Sequence, residues 1–359
     1  MKHILCLIDS LGPGGAQRQL VGLAVFLKEK GYKVSVAYYH DYCFYADYLL
    51  ANDIPYVYLN KAKKSVSRIW HIARYIRKTE PDVVISYLET PSICACMAHI
   101  FNRKFKLIVS ERNTTQHTGK NEIIRFNLFR IADYVVPNSY SQEEYICSFF
   151  PKLKDKVYTI PNFVDLTYFV PTLKKNRRKV PEIMIAASIW PSKNTLGFID
   201  AVAALKSKGF CFHISWYGLN TAHMDYINKC KQKIEYLGLI DYIELKEKTN
   251  KILEKYQKAD YFCLPSFYEG TPNVICEAMA CGLPIACSKV CDNSRYVEEG
   301  INGFLFNPHD TNSIAMALER MMSLKDAEYQ AFSINNRKHA EYLFSKDKFV
   351  QSYIKLLAL

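Results

Sequence analysis

Two glutamates in one segment are the first residues whose type and spacing could do chemistry. Glu269 and Glu277 have seven residues between them. A pair of carboxylates could act as general acid and general base, as in glycoside hydrolysis. Their surroundings favour separate roles instead, because Glu269 follows an apolar, strand-like run, Tyr261–Pro265, whereas Glu277 lies inside a predicted helix. An ordinary solvated pair of carboxylates is the remaining alternative.

The helix that holds Glu277 is predicted to begin at a phosphate site. Thr271 is a favourable N-cap and Pro272 a favourable first residue, because the N–H that proline lacks would have no partner there. The N–H groups and partial positive charge of a helix N-terminus suit a phosphate. Glu269 would then lie in the loop before the helix, with Glu277 one turn beyond Asn273. Glu277 is suited to accept hydrogen bonds from ribose hydroxyls, and Glu269, in the loop, is freer to approach a reacting centre.

Lys193 is the candidate cation for such a phosphate. It follows a predicted strand and precedes a helix, where a lysine can meet a diphosphate as a point charge. A surface lysine without a role is the alternative. The sequence has no Asp-x-Asp, His-Glu-x-x-His or paired Cys-x-x-Cys motif, so we expect no metal site and no cofactor. Lys193 and helix termini would neutralise a diphosphate.

A glycine-rich loop, Gly12–Gln17, follows the first predicted strand and includes Gly14 and Gly15. Glycines let the backbone approach an anion closely. A dinucleotide fingerprint is a rival interpretation, with Asp41 near the required acidic position, but it needs a third glycine where Gln17 stands. A plain tight turn is the third interpretation.

Polar residues also follow the fifth predicted strand of the first half, in the stretch Ser110–His117. Arg112 and His117 are the candidates here, since polar side chains at a strand's carboxyl end are often functional in α/β proteins. His117 could titrate near neutral pH. It could equally be a loop histidine without a role.

Alternating strands and helices must position all of these residues. The predicted strands of the first half are His3–Ile8, Lys33–Tyr39, Tyr56–Leu59, Val83–Tyr87, Leu107–Ser110, Tyr134–Pro137 and Val157–Ile160. Those of the second half are Glu182–Ala187, Cys211–Tyr217, Tyr242–Leu245, Asp260–Leu264, Pro284–Ser288 and Gly303–Phe306. This alternation predicts an α/β chain with two doubly wound, Rossmann-like domains that face each other across a cleft. The polar stretch Pro171–Pro181 reads as the linker between them.

Composition narrows the class of protein. The 359 residues suit two domains, and no run is long and apolar enough to span a bilayer. Met1–Leu11 reads as a first strand rather than a signal peptide, and twelve scattered cysteines indicate reduced thiols, so we expect a cytoplasmic protein. The net charge is +12, and residues 61–131 hold 14 Lys and Arg against 5 Asp and Glu. Such a field attracts phosphates, anionic lipid or nucleic acid, although it could also be a solvated face.

Eight motifs together resemble the GT-B-fold glycosyltransferases of family 4 (glycosyl transferases group 1), and the resemblance covers nearly the whole chain. The motifs are Gly12–Gln17, Ser110–Asn113, Ile131–Ser139, Ile160–Phe169, Lys193-Asn194, Pro265–Asn273, Glu277–Pro284 and Gly300–Phe306. Members of this family are retaining enzymes that use nucleotide-sugar donors. The resemblance implies an acceptor-side domain at residues 1–170, joined by a C-terminal helix at 345–359, and a donor-binding domain at 171–344.

The resemblance also implies roles for particular residues. Glu269 would lie beside the sugar at the reacting centre, Glu277 would hold the ribose, and Lys193 would contact the diphosphate. The other donor-binding positions are Gly14, Gly15, Gly270, Thr271, Asn273 and Val274.

Departures from the family concern the diphosphate and the catalytic centre. The family's usual arginine five residues before the lysine is Ser188 here, so Arg295 or Arg112 could substitute. Gln17 stands where the glycine-loop motif usually has glutamate. His117 or Arg112 would take the place of a catalytic-centre histidine that many members have.

We therefore expect a retaining, metal-independent glycosyltransferase with a nucleoside-diphosphate sugar, UDP-sugar favoured, as donor. The expected acceptor is a lipid-linked or growing polysaccharide intermediate, and the basic first domain would contact an anionic membrane peripherally. A nucleotide-sugar isomerase or epimerase of the same fold is the alternative within this fold. A dinucleotide-dependent oxidoreductase leaves both glutamates unexplained. A nucleic-acid-binding protein lacks an aromatic–basic recognition motif, so we expect no nucleic-acid partner.

Overall fold

The chain divides into two compact units. The structure is a computed structural model and describes residues 1–59, 65–172, 177–220 and 223–358. The first unit comprises Met1–Phe163 together with the residues from Lys346 onward, and the second comprises Val164–Ser345. Each unit is built around its own parallel sheet.

The first unit alternates strands and helices and is completed by the last helix of the chain. Its strands are β1 His3–Leu7, β2 Lys33–Tyr38, β3 Tyr56–Tyr58, β4 Val83–Tyr87, β5 Lys106–Glu111 and β6 Tyr134–Pro137. Its helices are α1 Gly15–Glu29, α2 Ala46–Ala51, α3 Ser65–Thr79, α4 Glu89–Phe101, α5 Lys120–Phe129, α6 Tyr140–Phe149 and, from the end of the chain, α14 Lys346–Ala358.

The first sheet has the strand order β3-β2-β1-β4-β5-β6, with every pair parallel. Apolar side chains fill both of its faces. One cluster packs the sheet against α1 and α14, and includes Leu23, Phe163 and Tyr353. The other packs it against α3, α4, α5 and α6, and includes Ile76 and Phe126. Near-continuous apolar strands fit this burial on both faces.

The second unit repeats the alternation. Its strands are β7 Glu182–Ala186, β8 His213–Leu219, β9 Ile243–Glu247, β10 Tyr261–Leu264, β11 Ile285–Ser288 and β12 Gly303–Phe306. Its helices are α7 Thr195–Ser207, α8 Met224–Tyr236, α9 Ile252–Lys258, α10 Asn273–Ala280, α11 Asn293–Tyr296, α12 Thr311–Met322 and α13 Asp326–Leu343.

The second sheet has the order β12-β11-β10-β7-β8-β9, again all parallel. In chain order within its unit, this is the same arrangement as in the first sheet. The order reverses between β7 and β10, which are neighbours. In such sheets ligands bind beyond the carboxyl ends of the two strands at this switch point, so the loops that follow β7 and β10 are the place to look for a site.

The boundary between the units lies seven residues before the expected position, at 163/164 rather than 170/171. Residues after Phe163 are held by the second unit. The Val164 N–H donates to the Phe344 carbonyl at 2.9 Å, and the Arg337 guanidinium donates to the carbonyls of Leu166 and Phe169. Of the predicted linker, residues 173–176 lie outside the described residues, as do residues 61–64 of the basic stretch.

A seventh strand at Val157–Ile160 was expected, and this prediction is wrong. The segment forms only an isolated bridge to β6, between Val135 and Val157. It donates to β6, from the Ile160 N–H to the Pro137 carbonyl at 3.0 Å. Because Pro137 has no N–H to return, the ladder stops there.

A search of the helices, confined to the four described ranges, finds none long and apolar enough to cross a membrane.

Candidate functional site

The switch point of the second sheet brings two predicted site residues into contact. Lys193 lies in the loop after β7 and Glu269 in the loop after β10. The Lys193 ammonium and the Glu269 carboxylate form an ion pair, with Nζ 2.5 Å from Oε1. The Ser266 hydroxyl donates to the same oxygen at 2.6 Å. A cation and a carboxylate that the chain separates by 76 residues therefore meet where this fold binds ligands.

The backbone around β7 and β8 forces the Lys193 loop into this place. A Cβ on Gly218 would lie 1.8 Å from the Ala187 carbonyl oxygen, so only glycine lets the loop cross β8 so closely. The Phe267 N–H donates to the Ser192 carbonyl at 2.9 Å, which ties the two loops together. Asn194 adopts a left-handed conformation with φ of 54° and anchors its amide on the Pro308 carbonyl. Lys193 is thus presented by a rigid turn.

Glu277 lies on α10 with its carboxylate buried. The Tyr256 hydroxyl donates to Oε2 of Glu277 at 2.9 Å, and the Glu277 residue is only 4 % exposed. Tyr256 also donates to the Val274 carbonyl, at 3.3 Å. This tyrosine, which no sequence motif singled out, orients the carboxylate from α9.

The start of α10 differs from the prediction by one residue. Pro272 is the N-cap, with extended backbone, and the helix begins at Asn273. Thr271 precedes the N-cap, and its buried hydroxyl lies 3.2 Å from the hydroxyl of Tyr296. Pro272 itself has φ of −75° and ψ of 103°, outside the helical region, so Asn273 is the first helical residue. The helix start, with the half-buried Asn273 and Val274, remains beside Gly270 and Glu269.

Ser188 stands where the resemblance would place an arginine, and Arg295 is a candidate to replace that arginine. Ser188 is half-buried in the loop after β7. Arg295 is exposed, and its Nε lies 4.0 Å from the buried Asp292 carboxylate. Arg295 therefore shares the second unit with Lys193 but already lies beside an acidic residue.

In the first unit, Gly14 and Gly15 mark the start of α1, with Gly14 as N-cap. Gln17 folds back over the loop, and its amide donates to Oδ1 of Asp9 at 3.0 Å. A Cβ on Gly14 would lie 2.1 Å from Oε1 of Gln17. The glutamine thus occupies the space that the glycine leaves, and Asp9 fixes its amide.

Arg112 and His117 follow β5 but have different surroundings. The Arg112 guanidinium donates to Oδ1 of Asn162 at 3.0 Å and to the Tyr353 hydroxyl at 2.5 Å, and it stacks over the Tyr87 ring. These contacts tie it into the first unit through α14. His117 is exposed in the loop before α5.

A buried acidic group at the end of β5 was not assigned a role from the sequence. Glu111 is 1 % exposed, and Oε2 lies 3.7 Å from the Arg125 guanidinium, which also pairs with Glu89 at the start of α4. Burial raises the pKa of Glu111 to about 7; Arg125 opposes the shift and Glu89 adds to it. In the sequence, the only sign of this buried glutamate is that it takes the last position of the apolar run of β5.

The arrangement brings together groups that a phosphorylated ligand needs. Lys193 and the start of α10 supply positive charge, and Glu269 and Glu277 supply acceptors on either side. Within the described ranges, no group of three or more His, Cys, Asp or Glu side chains is placed to hold a metal ion.

Comparisons with protein families match both halves of the chain. Residues 13–168 match the family described as Glycosyltransferase Family 4. Residues 180–323 match the family described as Glycosyl transferases group 1. The second match contains Lys193, Glu269 and Glu277, and the first contains Gly14, Gly15, Arg112 and His117.

One relative and a solved structure align with the chain over its full length, and a second relative aligns over about half of it. A Campylobacter jejuni protein named GalNAc-alpha-(1->4)-GalNAc-alpha-(1->3)-diNAcBac-PP-undecaprenol alpha-1,4-N-acetyl-D-galactosaminyltransferase is 26 % identical, covering 100 % of this chain and 99 % of its own. An Escherichia coli UDP-Gal:alpha-D-GlcNAc-diphosphoundecaprenol alpha-1,3-galactosyltransferase is 28 % identical over 51 % of this chain and 49 % of its own. The Anabaena protein HepE, solved in complex with UDP, superposes with a TM-score of 0.85 at 21 % identity, covering 100 % of both chains.

Each unit contains most of one family match. The fold is also shared with solved structures over the whole length of the chain. The two parallel six-stranded sheets have the strand order of Rossmann-like domains. Together these findings show that the chain is a glycosyltransferase with the GT-B fold.

Proposed function

We propose that the protein transfers a sugar, with retention of anomeric configuration and without a metal ion, from a UDP-sugar to a lipid-linked glycan. The site of transfer would be the cytoplasmic face of a membrane, during polysaccharide assembly. The observation that carries the proposal is the Lys193–Glu269 ion pair at the switch point of the second sheet.

The ion pair supports the donor side of the proposal. A diphosphate that enters beside the start of α10 would compete with Glu269 for the Lys193 ammonium. Glu269, still hydrogen-bonded by Ser266, would then be available to the sugar hydroxyls. Glu277, held by Tyr256, would accept hydrogen bonds from the ribose. Binding of donor would thus exchange the Lys193–Glu269 contact for a contact between Lys193 and the diphosphate.

The reaction breaks the bond between the anomeric carbon and the β-phosphate oxygen. The acceptor hydroxyl oxygen forms the new bond to that carbon, and the hydroxyl proton moves to the departing diphosphate. Negative charge builds up on the diphosphate as it leaves, and the Lys193 ammonium and the N–H groups at the start of α10 would stabilise it. This assignment needs no metal ion as electrophile, and we expect activity to survive chelation.

The acceptor side rests on the relatives. Both transferases named above act, by their names, on diphosphoundecaprenol-linked saccharides and form α-linkages. Retention at an α-linked UDP-sugar also produces an α-linkage. We extend the acceptor class to this chain, and with it a peripheral place at the membrane. The nucleotide-sugar isomerase alternative gains no support, since these relatives are transferases by name.

A two-stage experiment tests the proposal. A thermal-shift panel of UDP-, GDP- and ADP-sugars should show stabilisation by UDP-sugars, because a bound donor raises apparent stability by mass action. Transfer to a short-chain polyprenyl-diphosphate saccharide, in buffer with EDTA, is then followed by NMR of the new anomeric proton. A β-linked product would contradict retention. Conversion of the donor without any acceptor would instead favour the isomerase.

A further inference from the structure

The solvent side of α3 combines an aromatic ring with positive charge. Residues spaced three and four apart lie on one side of a helix. On this side the exposed residues are Trp70, Arg74, Arg77 and Lys78. Trp70 is 56 % exposed, and the Arg74 guanidinium lies 5.2 Å from the centre of its ring. The opposite side carries Ile72 and Ile76, which are buried against the sheet. The helix is therefore anchored through its apolar side and presents the other to solvent.

The end of α4 extends the same kind of surface. α3 and α4 pack on one face of the first sheet and run in the same direction, so their last turns lie at the same edge. In the last turn of α4, Ile100 is 41 % and Phe101 77 % exposed. Arg103 and Lys104 follow and are also exposed. Glu80 and Asp82 are the acidic residues that follow α3 along the chain. We call the following set the α3–α4 surface: Trp70, Arg74, Arg77, Lys78, Ile100, Phe101, Arg103 and Lys104.

A basic pocket continues the α3–α4 surface. The pocket has a volume of about 770 Å³, and Arg103 and Lys104 form part of its wall. The further lining residues with a positive charge are Lys106, Arg130 and Lys156. Lys156 is fixed by hydrogen bonds from its ammonium to the Arg130 and Ala132 carbonyls, both 2.8 Å. Asp133 is the one acidic residue among the described residues that line the pocket, and its carboxylate accepts the Leu107 N–H.

Apolar and basic side chains in this mixture match one kind of partner. Tryptophan and phenylalanine settle at the boundary between headgroups and acyl chains, while lysine and arginine attract anionic headgroups. Phe101 is a large apolar side chain that is mostly exposed, and cationic side chains lie near it. This combination suits contact with a bilayer surface. Charge alone would fit any polyanion, but the three apolar side chains need an apolar layer.

We propose that the α3–α4 surface docks the protein on an anionic lipid bilayer, with Trp70, Ile100 and Phe101 at headgroup depth. The inference rests on the proposed function, because a lipid-linked acceptor must be reached from the bilayer surface. The last turns of α3 and α4 come just before β4 and β5, so they lie at the amino edge of the first sheet. A five-residue strand is about 17 Å long. Docking through the α3–α4 surface would therefore leave the carboxyl edge, which carries Gly14, Gly15 and Arg112, about one strand length from the lipid and uncovered by it.

Sedimentation with lipid vesicles tests the surface. The full chain should bind vesicles of phosphatidylcholine mixed with phosphatidylglycerol, bind phosphatidylcholine alone weakly, and dissociate as salt rises. The triple variant Arg74→Gln, Arg77→Gln, Lys78→Gln should bind the mixed vesicles about 100-fold more weakly, since each cation near an anionic surface contributes about fivefold. The double variant Trp70→Ser, Phe101→Ser should also bind more weakly but keep its salt dependence.

A matched control removes three exposed cations from the second unit. The variant Lys229→Gln, Lys231→Gln, Lys248→Gln has the same net charge as the α3 variant and should bind mixed vesicles like the unmodified protein. Equal loss in both triple variants, or equal binding of the unmodified protein to neutral and anionic vesicles, would overturn the proposal. Failure of the proposed function has a different signature: no stabilisation by UDP-sugars and no transfer to a short-chain acceptor, whatever the vesicle result.

Discussion

The two glutamates of the Pro265–Pro284 segment differ in what holds them. Glu269 shares one oxygen between the Lys193 ammonium and the Ser266 hydroxyl. Glu277 is buried and receives the Tyr256 hydroxyl. Sequence reasoning could assign separate roles, because one lies in a loop and the other on a helix. It could not supply the partners, because the pattern around Lys193 predicted a contact with a phosphate rather than with Glu269, and Tyr256 carries no local signal.

This difference predicts two distinct kinetic defects. Glu269→Gln keeps the shape but weakens the contact with the sugar and with Lys193, so turnover should fall by a factor of about 100 or more with a small change in donor affinity. Glu277→Ala removes an acceptor for the ribose and should weaken donor binding by about 10- to 100-fold, as expected for hydrogen bonds to a charged group. Steady-state kinetics and donor titration separate the effects; near-normal transfer by both variants would refute the assignment.

Glu111 predicts a pH dependence of stability. Its pKa, raised by burial to about 7, means that the folded state binds a proton more tightly than the unfolded state. This stabilisation is fully present below the ordinary glutamate pKa and is lost as the pH rises through about 7. Glu111→Gln does not titrate. Its stability relative to the unmodified protein should therefore improve by about 1–3 kcal/mol between pH 5 and pH 8.

Calorimetry of the first unit's unfolding at the two pH values measures this effect. Glu80→Gln, at an exposed glutamate, is the control and should show no such change. A pH-independent difference between Glu111→Gln and the unmodified protein would mean that Arg125 keeps the carboxylate ionised at both pH values.

The residues of the candidate site lie in loops and near the start of a helix. Alternating apolar runs predicted both sheets, because strands buried on two faces are apolar along their length. The errors fall where backbone chemistry decides locally. Pro137 ends the ladder that Val157–Ile160 would have extended, and the extended backbone of Pro272 makes it the N-cap of α10 instead of the first helical residue. The tight crossing at Gly218 left no trace in the sequence beyond the glycine itself.

Gly218→Ala tests the role of that crossing. The added methyl would meet the Ala187 carbonyl oxygen, so the loop that carries Lys193 must move. We expect lower thermal stability together with weaker UDP-sugar binding. Gly209→Ala is the matched control: its φ of +86° makes alanine costly by about 1–2 kcal/mol, but no atom lies within 4 Å. It should lose stability and keep donor affinity. Equal donor affinity in both variants would contradict the prediction.

The whole molecule is two sheets with one strand order, and the first depends on the last helix of the chain. α14 places Phe349, Tyr353 and Leu357 in the core of the first unit, and Tyr353 joins Tyr87 and Arg112 through its hydroxyl. The sequence predicted the two-domain architecture from its restart near Glu182. The boundary at Phe163 could not be predicted, because it is set by contacts of the Val164–Phe169 segment with residues that lie far along the chain.

Deleting the residues from Lys346 onward should unfold one unit selectively. Each large apolar side chain removed from a core costs about 1.5–3 kcal/mol, and five are lost: Phe349, Val350, Tyr353, Leu356 and Leu357. The loss rivals the whole stability of a domain. Hydrogen exchange should show the first unit unprotected and the second still protected, with UDP-sugar raising that protection. Undiminished protection of α1 would contradict the prediction.

The position of α14 in the chain also dictates an order of events during synthesis. The residues from Lys346 onward emerge from the ribosome after all of Val164–Ser345. Domains fold as units during translation, usually the N-terminal one first. Here the later unit can be complete while the earlier one still exposes the apolar groove that α14 fills, lined by residues such as Phe26 and Phe163. We therefore expect the core of the nascent first unit to stay open until α14 has been synthesised. A chaperone would be needed during that interval.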